Sequence, residues 1–399
     1  MNLCFVAQYA LGALRGSGDG HIGGIERQQA LMARWLAGRG HRVSMLTWDE
    51  GQQDGREIGG VRVYRICRRE AGLPGVRFFH PRWTHLAAAM RRADADVYYQ
   101  NCGEYVTGQV ALWCRRNGRR FVYSVASDPD CDAALPEMHT LRERVLYRCG
   151  LRRADRVIVQ TRRQQEMLRA GFGRQSLVIP MPCVGPMNGE YAPPQPPAAG
   201  RARVLWIGRV CEVKRPDWLV ELARACPEVA FDFVGPAADG EYARRAVEQA
   251  RARPNVTVHG LAARDQVSAF YRRAACLVCT SAFEGFPNTF LEAWSHGLPV
   301  VTTFDPDDLI ATRGLGVVAD DVPGLAAGLR QLLGSPELWQ EASRAARRYY
   351  LDNHAVEAVM PRFERVFLDV AGCAAEATGA EGGPTGCPAA DGTGAEPGR

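Results

Sequence analysis

Ser281-Ala282-Phe283-Glu284-Gly285-Phe286-Pro287-Asn288-Thr289-Phe290-Leu291-Glu292-Ala293-Trp294, running on into Ser295-His296-Gly297-Leu298-Pro299-Val300-Val301, decides how this chain folds. The apolar run Cys276-Leu277-Val278-Cys279 just before it reads as a short buried strand. Glu284-Gly285-Phe286-Pro287 is a sharp loop, Asn288 or Thr289 caps the helix that follows, and Gly297-Leu298-Pro299 stops it before a second apolar strand. The local plan is strand, tight loop, helix, strand. A glycine-containing loop feeding a helix presents free backbone N–H groups and the positive end of the helix dipole, which suits a phosphate. Glu284 stands in the loop and Glu292 lies in the helix beyond it. A phosphate on the N–H groups between them leaves both acids free to accept hydrogen bonds from sugar hydroxyls. The plain alternative is a βαβ crossover with a surface acid at each end.

Two acids at this spacing are a common accident, but Glu-Gly-Phe-Pro-Asn-Thr-Phe-Leu-Glu-Ala ending in Gly-Leu-Pro-Val-Val is far more specific. It resembles the E-x7-E signature of the retaining glycosyltransferases of family 4, the group 1 transferases. The resemblance implies a GT-B fold: α/β, two Rossmann-like domains with parallel sheets facing a cleft. It is strongest over residues 204–301 and weaker over the first half.

The chain has 399 residues, 46% of them hydrophobic and 23% charged, which is room for two domains with large cores. No run of about 18 apolar residues occurs, so no membrane-spanning helix is expected. The start, Met1-Asn2-Leu3-Cys4-Phe5-Val6-Ala7, lacks a basic leader and reads as a first strand. Thirteen scattered cysteines point to reduced thiols and a cytoplasmic setting. Cys276 and Cys279 face opposite ways on a strand, so neither metal nor redox chemistry is read there. The net charge of +5 is carried almost wholly by arginine, and Lys214 is the only lysine.

Outward from the central stretch, strands are expected at 3–9, 43–47, 61–66, 96–99, 121–126, 157–160 and 177–179. Helices lie between most of them, at 23–40, 82–92, 104–116, 138–153 and 163–171. After a proline-rich stretch the pattern restarts. Strands fall at 204–207, 230–234 and 256–259, helices at 217–225, 241–251 and 264–273, then a strand near 316–318 and a helix at 323–333. Alternation of this kind implies parallel sheets covered on both faces. The expected organisation is a first, acceptor-side domain over residues 1–192 and a linker over 193–200. A nucleotide-sugar-binding domain follows over 201–354, then a helix over 355–371 that the resemblance brings back onto the first domain. Residues 372–399 are a tail too poor in large apolar residues to fold.

Gly208-Arg209 leaves the first strand of the second half and Lys214 follows in the same loop. A departing diphosphate needs positive charge aimed where its own charge builds up. The resemblance puts Arg209 and Lys214 on that diphosphate; the plain alternative for Lys214 is a solvated loop residue. It also implies that Glu292 accepts from the ribose and Glu284 from the donor sugar. For Glu292 the alternative is an acid favoured near a helix start. Gly285, Phe286, Asn288 and Thr289 supply N–H groups or side-chain contacts, and Gly235, Gly260 and Leu261, at strand ends, line the base pocket.

Gly18-x-Gly20-x-x-Gly23 matches a dinucleotide fingerprint literally, but it does not turn directly off a strand end. In the resembled family a loop closing in Gly-Gly faces the diphosphate, a role for Gly23 and Gly24. Many members carry a histidine after the strand that corresponds to 121–126. Here the sequence is Ser127-Asp128-Pro129-Asp130, and Asp128 stands near the sugar or merely forms a turn. A departing phosphate can take the acceptor's proton on the same face, so a missing histidine is not fatal to transfer, though its absence is what suggests a binding-only subunit.

No Asp-x-Asp pair or H-E-x-x-H spacing occurs at the site, so no metal and no cofactor beyond the nucleotide-diphosphate-sugar co-substrate is expected. The acceptor is a glycan, a lipid-linked sugar or a small molecule. Arg142, Arg144, Arg148, Arg152 and Arg153 make one helix strongly basic, either a solvated face or a peripheral contact with the inner face of a membrane. No nucleic-acid module is apparent. The reading is a metal-independent, retaining glycosyltransferase of polysaccharide-forming type. A binding-only subunit or a nucleotide-sugar epimerase of the same fold are the alternatives.

Overall fold

The computed structural model describes residues 1–16, 23–186, 191–197 and 202–372. Gly18 and Gly20, the end of the proline-rich linker and the tail beyond Gly372 lie outside them.

The first sheet has eight strands: β1 (Asn2–Val6), β2 (Arg42–Thr47), β3 (Arg56–Ile58), β4 (Val61–Arg65), β5 (Val97–Asn101), β6 (Arg120–Ser124), β7 (Arg156–Val159) and β8 (Leu177–Val178). Their spatial order is 3-4-2-1-5-6-7-8. β3 turns back antiparallel on β4, and the other pairings are parallel. The second sheet is parallel throughout: β9 (Arg203–Ile207), β10 (Ala230–Val234), β11 (Val256–Gly260), β12 (Cys276–Cys279), β13 (Val300–Thr302) and β14 (Gly316–Val318), in the order 11-10-9-12-13-14. The central strands are buried on both faces, which is why they read as continuous apolar runs. Cys276 packs into one apolar cluster and Cys279 into another, on opposite sides of β12.

The helices around the first sheet are α1 (Leu11–Arg15), α2 (Gly24–Gly38), α3 (Thr84–Ala93), α4 (Tyr105–Arg116), α5 (Leu141–Arg153) and α6 (Arg162–Phe172). Those of the second half are α7 (Pro216–Ala225), α8 (Glu241–Arg251), α9 (Arg264–Arg273), α10 (Asn288–Ser295), α11 (Leu309–Arg313), α12 (Val322–Gly334), α13 (Pro336–Asn353) and α14 (Val356–Ala371). α14 leaves the second half and packs on the first sheet. Phe367 meets Tyr99 at 5.6 Å, Glu364 accepts from His41 at 2.8 Å, and Arg362 donates to the Val178 carbonyl at 2.7 Å. Its Met360, Phe363 and Phe367 are fully buried, each worth roughly 1.5–3 kcal/mol of burial. They join one apolar cluster that also holds Leu3 and Val97 of the first sheet and Leu205 and Phe290 of the second half. The two halves therefore share a core.

In each sheet the order reverses beside the first strand of the half, between β1 and β5 and between β9 and β12. In open α/β sheets such a reversal leaves a crevice at the carboxyl ends of the strands. The two crevices face each other.

Candidate functional site

Three glycines stand at the carboxyl ends of three neighbouring strands. The Gly208 N–H donates to the Val234 carbonyl at 3.0 Å, and the Gly235 N–H to the Gly260 carbonyl at 2.7 Å. Gly235 has φ +141°, and a Cβ there would lie 1.7 Å from the Gly208 carbonyl oxygen, so this rim has to be bare backbone. Leu261 projects beyond it, 77% exposed.

Past Gly208 the chain makes a short turn over Glu212–Lys214 and passes through Arg215 at φ 42° into α7. Arg215 ties this turn to the loop after β12. Its guanidinium donates to the carbonyls of Thr280 at 2.7 Å and Ser281 at 3.0 Å and to the Thr303 hydroxyl at 2.9 Å. The Thr280 hydroxyl returns a bond to the Lys214 carbonyl at 2.7 Å. Lys214 is thereby aimed at the central loop, where its ammonium pairs with the Glu284 carboxylate. The Ser281 hydroxyl donates to the same Glu284 oxygen at 2.6 Å. Glu284 is thus not free, contrary to the sequence expectation: one of its oxygens is already occupied by a cation and a hydroxyl. Arg209 is exposed, and among the described residues no acid pairs with it.

Gly285, Phe286 and Pro287 lead into α10. Its N-cap is Pro287, which offers no side-chain bond, so neither Asn288 nor Thr289 is the cap. The Asn288 side chain instead crosses to the first domain, where its Oδ1 accepts from Gln28 Nε2 at 2.9 Å. The first N–H groups of α10 have no acceptor within their own helix. Opposite them stands the start of α2. A Cβ on Gly24 would lie 2.0 Å from the Asn288 amide nitrogen, so α2 comes this close because its first residue is glycine. Gly23 precedes it in extended conformation as N-cap. Two helix N-termini, one from each half, meet at the cleft, and both present positive dipole ends.

Gly285 touches the first domain directly: a Cβ there would lie 2.6 Å from the Ala126 carbonyl oxygen and 3.1 Å from Ser127 Cα. Asp128 opens the next turn. Its carboxylate accepts from Gln164 Nε2 at 3.1 Å and pairs with Arg163 at 3.3 Å, while burial raises its pKa. Asp128, Arg163, Gly285 and Asp307 line a cavity of about 290 Å³ between the halves. Asp307 also accepts from the N–H groups of Arg162 and Arg163 at 2.6 and 3.0 Å, so an acid of the second half sits on the start of α6.

Glu292 is half-buried, and its Oε2 accepts from the Tyr271 hydroxyl at 2.7 Å. His296 stacks on Tyr271 at 5.3 Å and its Nδ1 bonds the Glu292 carbonyl at 2.9 Å, with burial holding its pKa down. The Phe286 ring packs against Trp294 and His354, at 6.1 and 5.2 Å.

Several residues at the site carry no sequence signal. Arg215, Tyr271, Gln28 and Ser281 contact site residues far along the chain or merely complete a loop. On the first-domain side, carboxylates crowd the loops after β5 and β6. Asp130 is buried and accepts from the N–H groups of Gly103 and Ala126, both at 3.2 Å, with burial pushing its pKa up to about 6. Glu104 is pushed up to about 7, mainly by burial and then by the charges of Asp130, Glu143 and Glu26.

Two Rossmann-like halves with facing crevices are the GT-B arrangement. Residues 23–183 match the family described as glycosyl transferase 4-like domain, and residues 201–335 match glycosyl transferases group 1. Together the matches span well over half of the chain, which belongs to the group 1 glycosyltransferases. Among curated proteins, it is 28% identical over 159 residues to the GtfA subunit of the UDP-N-acetylglucosamine–peptide N-acetylglucosaminyltransferase of Streptococcus pneumoniae, covering 37% of this chain and 30% of that one. It is 26% identical over 180 residues to glycogen synthase of Mycobacterium tuberculosis, covering 43% of this chain and 44% of that one. These alignments span less than half the length of either relative. Among solved structures, sucrose-phosphate synthase from Thermosynechococcus elongatus superposes with a TM-score of 0.73 at 19% identity, over 92% of this chain and 98% of that one. Anabaena HepE in complex with UDP and glucose gives 0.71 at 16%, over 92% and 99%. At such identities these two likenesses speak for the fold alone.

Proposed function

We propose that this protein transfers a sugar, with retention, from a nucleotide-diphosphate donor to an acceptor hydroxyl, without a metal. The observation that carries the reading is the meeting of Lys214, the α10 mouth and the α2 mouth at one cleft.

The donor diphosphate lies on the N–H groups of Gly285, Phe286, Asn288 and Thr289, with Gly23 and Gly24 opposite. Lys214 and Arg209 neutralise the charge that grows on it as the bond from the sugar's anomeric carbon breaks. Positive groups held in place before the reaction lower that barrier most. Two cations and two helix N-termini do here what a divalent ion does elsewhere. Donor entry requires Lys214 to share itself between Glu284 and phosphate, and Glu284 then turns its other oxygen to the sugar. Glu292, fixed by Tyr271, holds the ribose hydroxyls, and the base lies along Gly208, Gly235, Gly260 and Leu261. The acceptor oxygen bonds to the anomeric carbon on the face the diphosphate leaves. Its proton passes to the departing phosphate oxygen, which supplies the base that an added side chain would otherwise provide. Asp128 orients a hydroxyl at this point.

The first experiment is release of nucleoside diphosphate from UDP-, GDP- and ADP-sugars by the purified protein, with and without EDTA. Release from one donor class, unaffected by EDTA, with an α product from an α donor by NMR, is the expected result. No release from any donor means a binding-only protein, conversion of the donor without release means an epimerase, and inversion at the anomeric carbon removes the proposed mechanism.

A further inference from the structure

We infer that two adjoining segments of the first domain form a docking surface for an anionic lipid bilayer. This deepens the transferase reading, on which it rests, by placing the acceptor at a membrane surface. Leu73, Val76 and Phe79 are 73, 55 and 58% exposed, and Leu141 and Val145, on α5, are 78 and 56% exposed. The first three follow one another at the spacing of tight turns, with the Val76 N–H on the Leu73 carbonyl at 3.2 Å and the Phe79 N–H on the Val76 carbonyl at 2.9 Å. Leu141 and Val145, four residues apart, share the side of α5 away from its buried residues Leu146, Tyr147, Gly150 and Leu151.

One contact joins the segments: the Arg142 guanidinium lies over the buried Phe78 ring, 3.9 Å from its centre. Phe78 in turn packs on Phe79 at 5.0 Å and Trp83 at 5.7 Å. The result is an apolar crest assembled from two places in the sequence. Around it basic residues outnumber acids, although Glu70 and Glu137, just before the second segment, are also exposed. Residues 68–83 and 138–153 together hold nine arginines and two acids, Glu70 and Glu143. Glu143 is turned back onto the Thr140 N–H at 3.0 Å. Exposed apolar side chains that sink among headgroups, ringed by arginines for lipid phosphates, fit an anionic bilayer interface. A protein partner would call for acids matched to fixed arginines, whereas a bilayer asks only for a rim of net positive charge beside exposed apolar side chains.

The crest also stands where an acceptor is needed. Phe78 touches Tyr105 at 5.4 Å, and Tyr105 opens α4 directly after Glu104, among the carboxyl-end loops that face the cleft. The test is co-sedimentation with vesicles of phosphatidylcholine, with and without phosphatidylglycerol. The protein is expected to sediment with the anionic vesicles and to be released by high salt. Leu73→Ser/Phe79→Ser removes apolar contacts, and Arg77→Glu/Arg144→Glu reverses two rim charges. Each arginine near an anionic leaflet is worth roughly fivefold in partitioning, so the charge pair should lower it at least thirtyfold or so. Arg244→Glu/Arg245→Glu, on the exposed side of α8 in the other domain, should leave it unchanged. No preference of the wild type for anionic vesicles, or an equal loss in the α8 control, overturns the proposal. Release of nucleoside diphosphate in solution keeps the two readings apart: if it persists while vesicle binding fails, only the docking surface falls. It also shows that each variant is folded.

Discussion

Gly285→Ala adds one carbon where the halves meet. That carbon would lie 2.6 Å from the Ala126 carbonyl oxygen, 3.1 Å from Ser127 Cα and 3.5 Å from the Ala126 carbonyl carbon, all of them backbone. Ordinary separation requires a retreat of roughly 0.6–1 Å. The oxygen cannot yield alone, because it also accepts from Gln160 Nε2 at 3.1 Å. Either the loop over Gly285 shifts or the halves part. Both move the α10 mouth against the first domain by a distance that costs about 10²-fold where geometry governs the chemistry. Strain absorbed in the fold instead would cost about 1–3 kcal/mol. We predict that kcat/KM for donor turnover falls by about 10–100-fold while the thermal midpoint drops by at most a few degrees. Gly38→Ala is the control: nothing lies within 4 Å of its added carbon, so kinetics should be unchanged. Wild-type kinetics in Gly285→Ala would refute the claim that this contact sets the cleft.

Tyr271→Phe removes the bond that holds Glu292, and should raise the KM for donor several-fold with kcat nearly unchanged, since a bond of this kind is worth about 1 kcal/mol. A fall in kcat alone would mean that Glu292 does not hold the ribose. Asp128→Asn keeps the shape of the turn but loses the charge facing Arg163, and should lower kcat in steady-state assays; unaltered kinetics would discard its role at the acceptor. His354, buried with its Nδ1 on the Met181 carbonyl at 2.9 Å, is held down from its ordinary 6.5 to about 4 by burial. The unfolded chain therefore binds the proton first as pH falls. Urea unfolding should show stability that is full above pH 6.5 and falls by roughly 3 kcal/mol as pH falls through 4, a loss absent in His354→Gln.

The sequence was most legible where one short segment carries a whole structural unit. The apolar runs of β9 and β12 and the loop into α10 read directly, because a buried parallel strand must be apolar on both faces. The helix α13, by contrast, went unread, although Ser335 accepts from the Leu338 N–H at 3.2 Å as a cap and Pro336 begins the first turn. Its buried side carries Trp339 and Tyr350 at its two ends but only Ala342, Ser343 and Ala346 between them, small residues that thin out the apolar stripe. β3 has three residues, two of them charged, and is too short to show a pattern. The site was visible as residue types but not as contacts. Lys214 and Glu284 are joined only because β9 and β12 are neighbours in the sheet, a matter of strand order that no local window contains. The same holds for Gln28 on Asn288, which exists only once α14 and the shared core bring the halves together.

The grip on the diphosphate is tested most directly by calorimetric binding of a nucleoside diphosphate against its monophosphate, in wild type and in Lys214→Ala. Hydrogen bonds to a charged group are worth about 1.5–3 kcal/mol, so the wild type should favour the diphosphate by roughly 10–100-fold and the variant should lose most of that preference. An undiminished preference in Lys214→Ala would contradict the account.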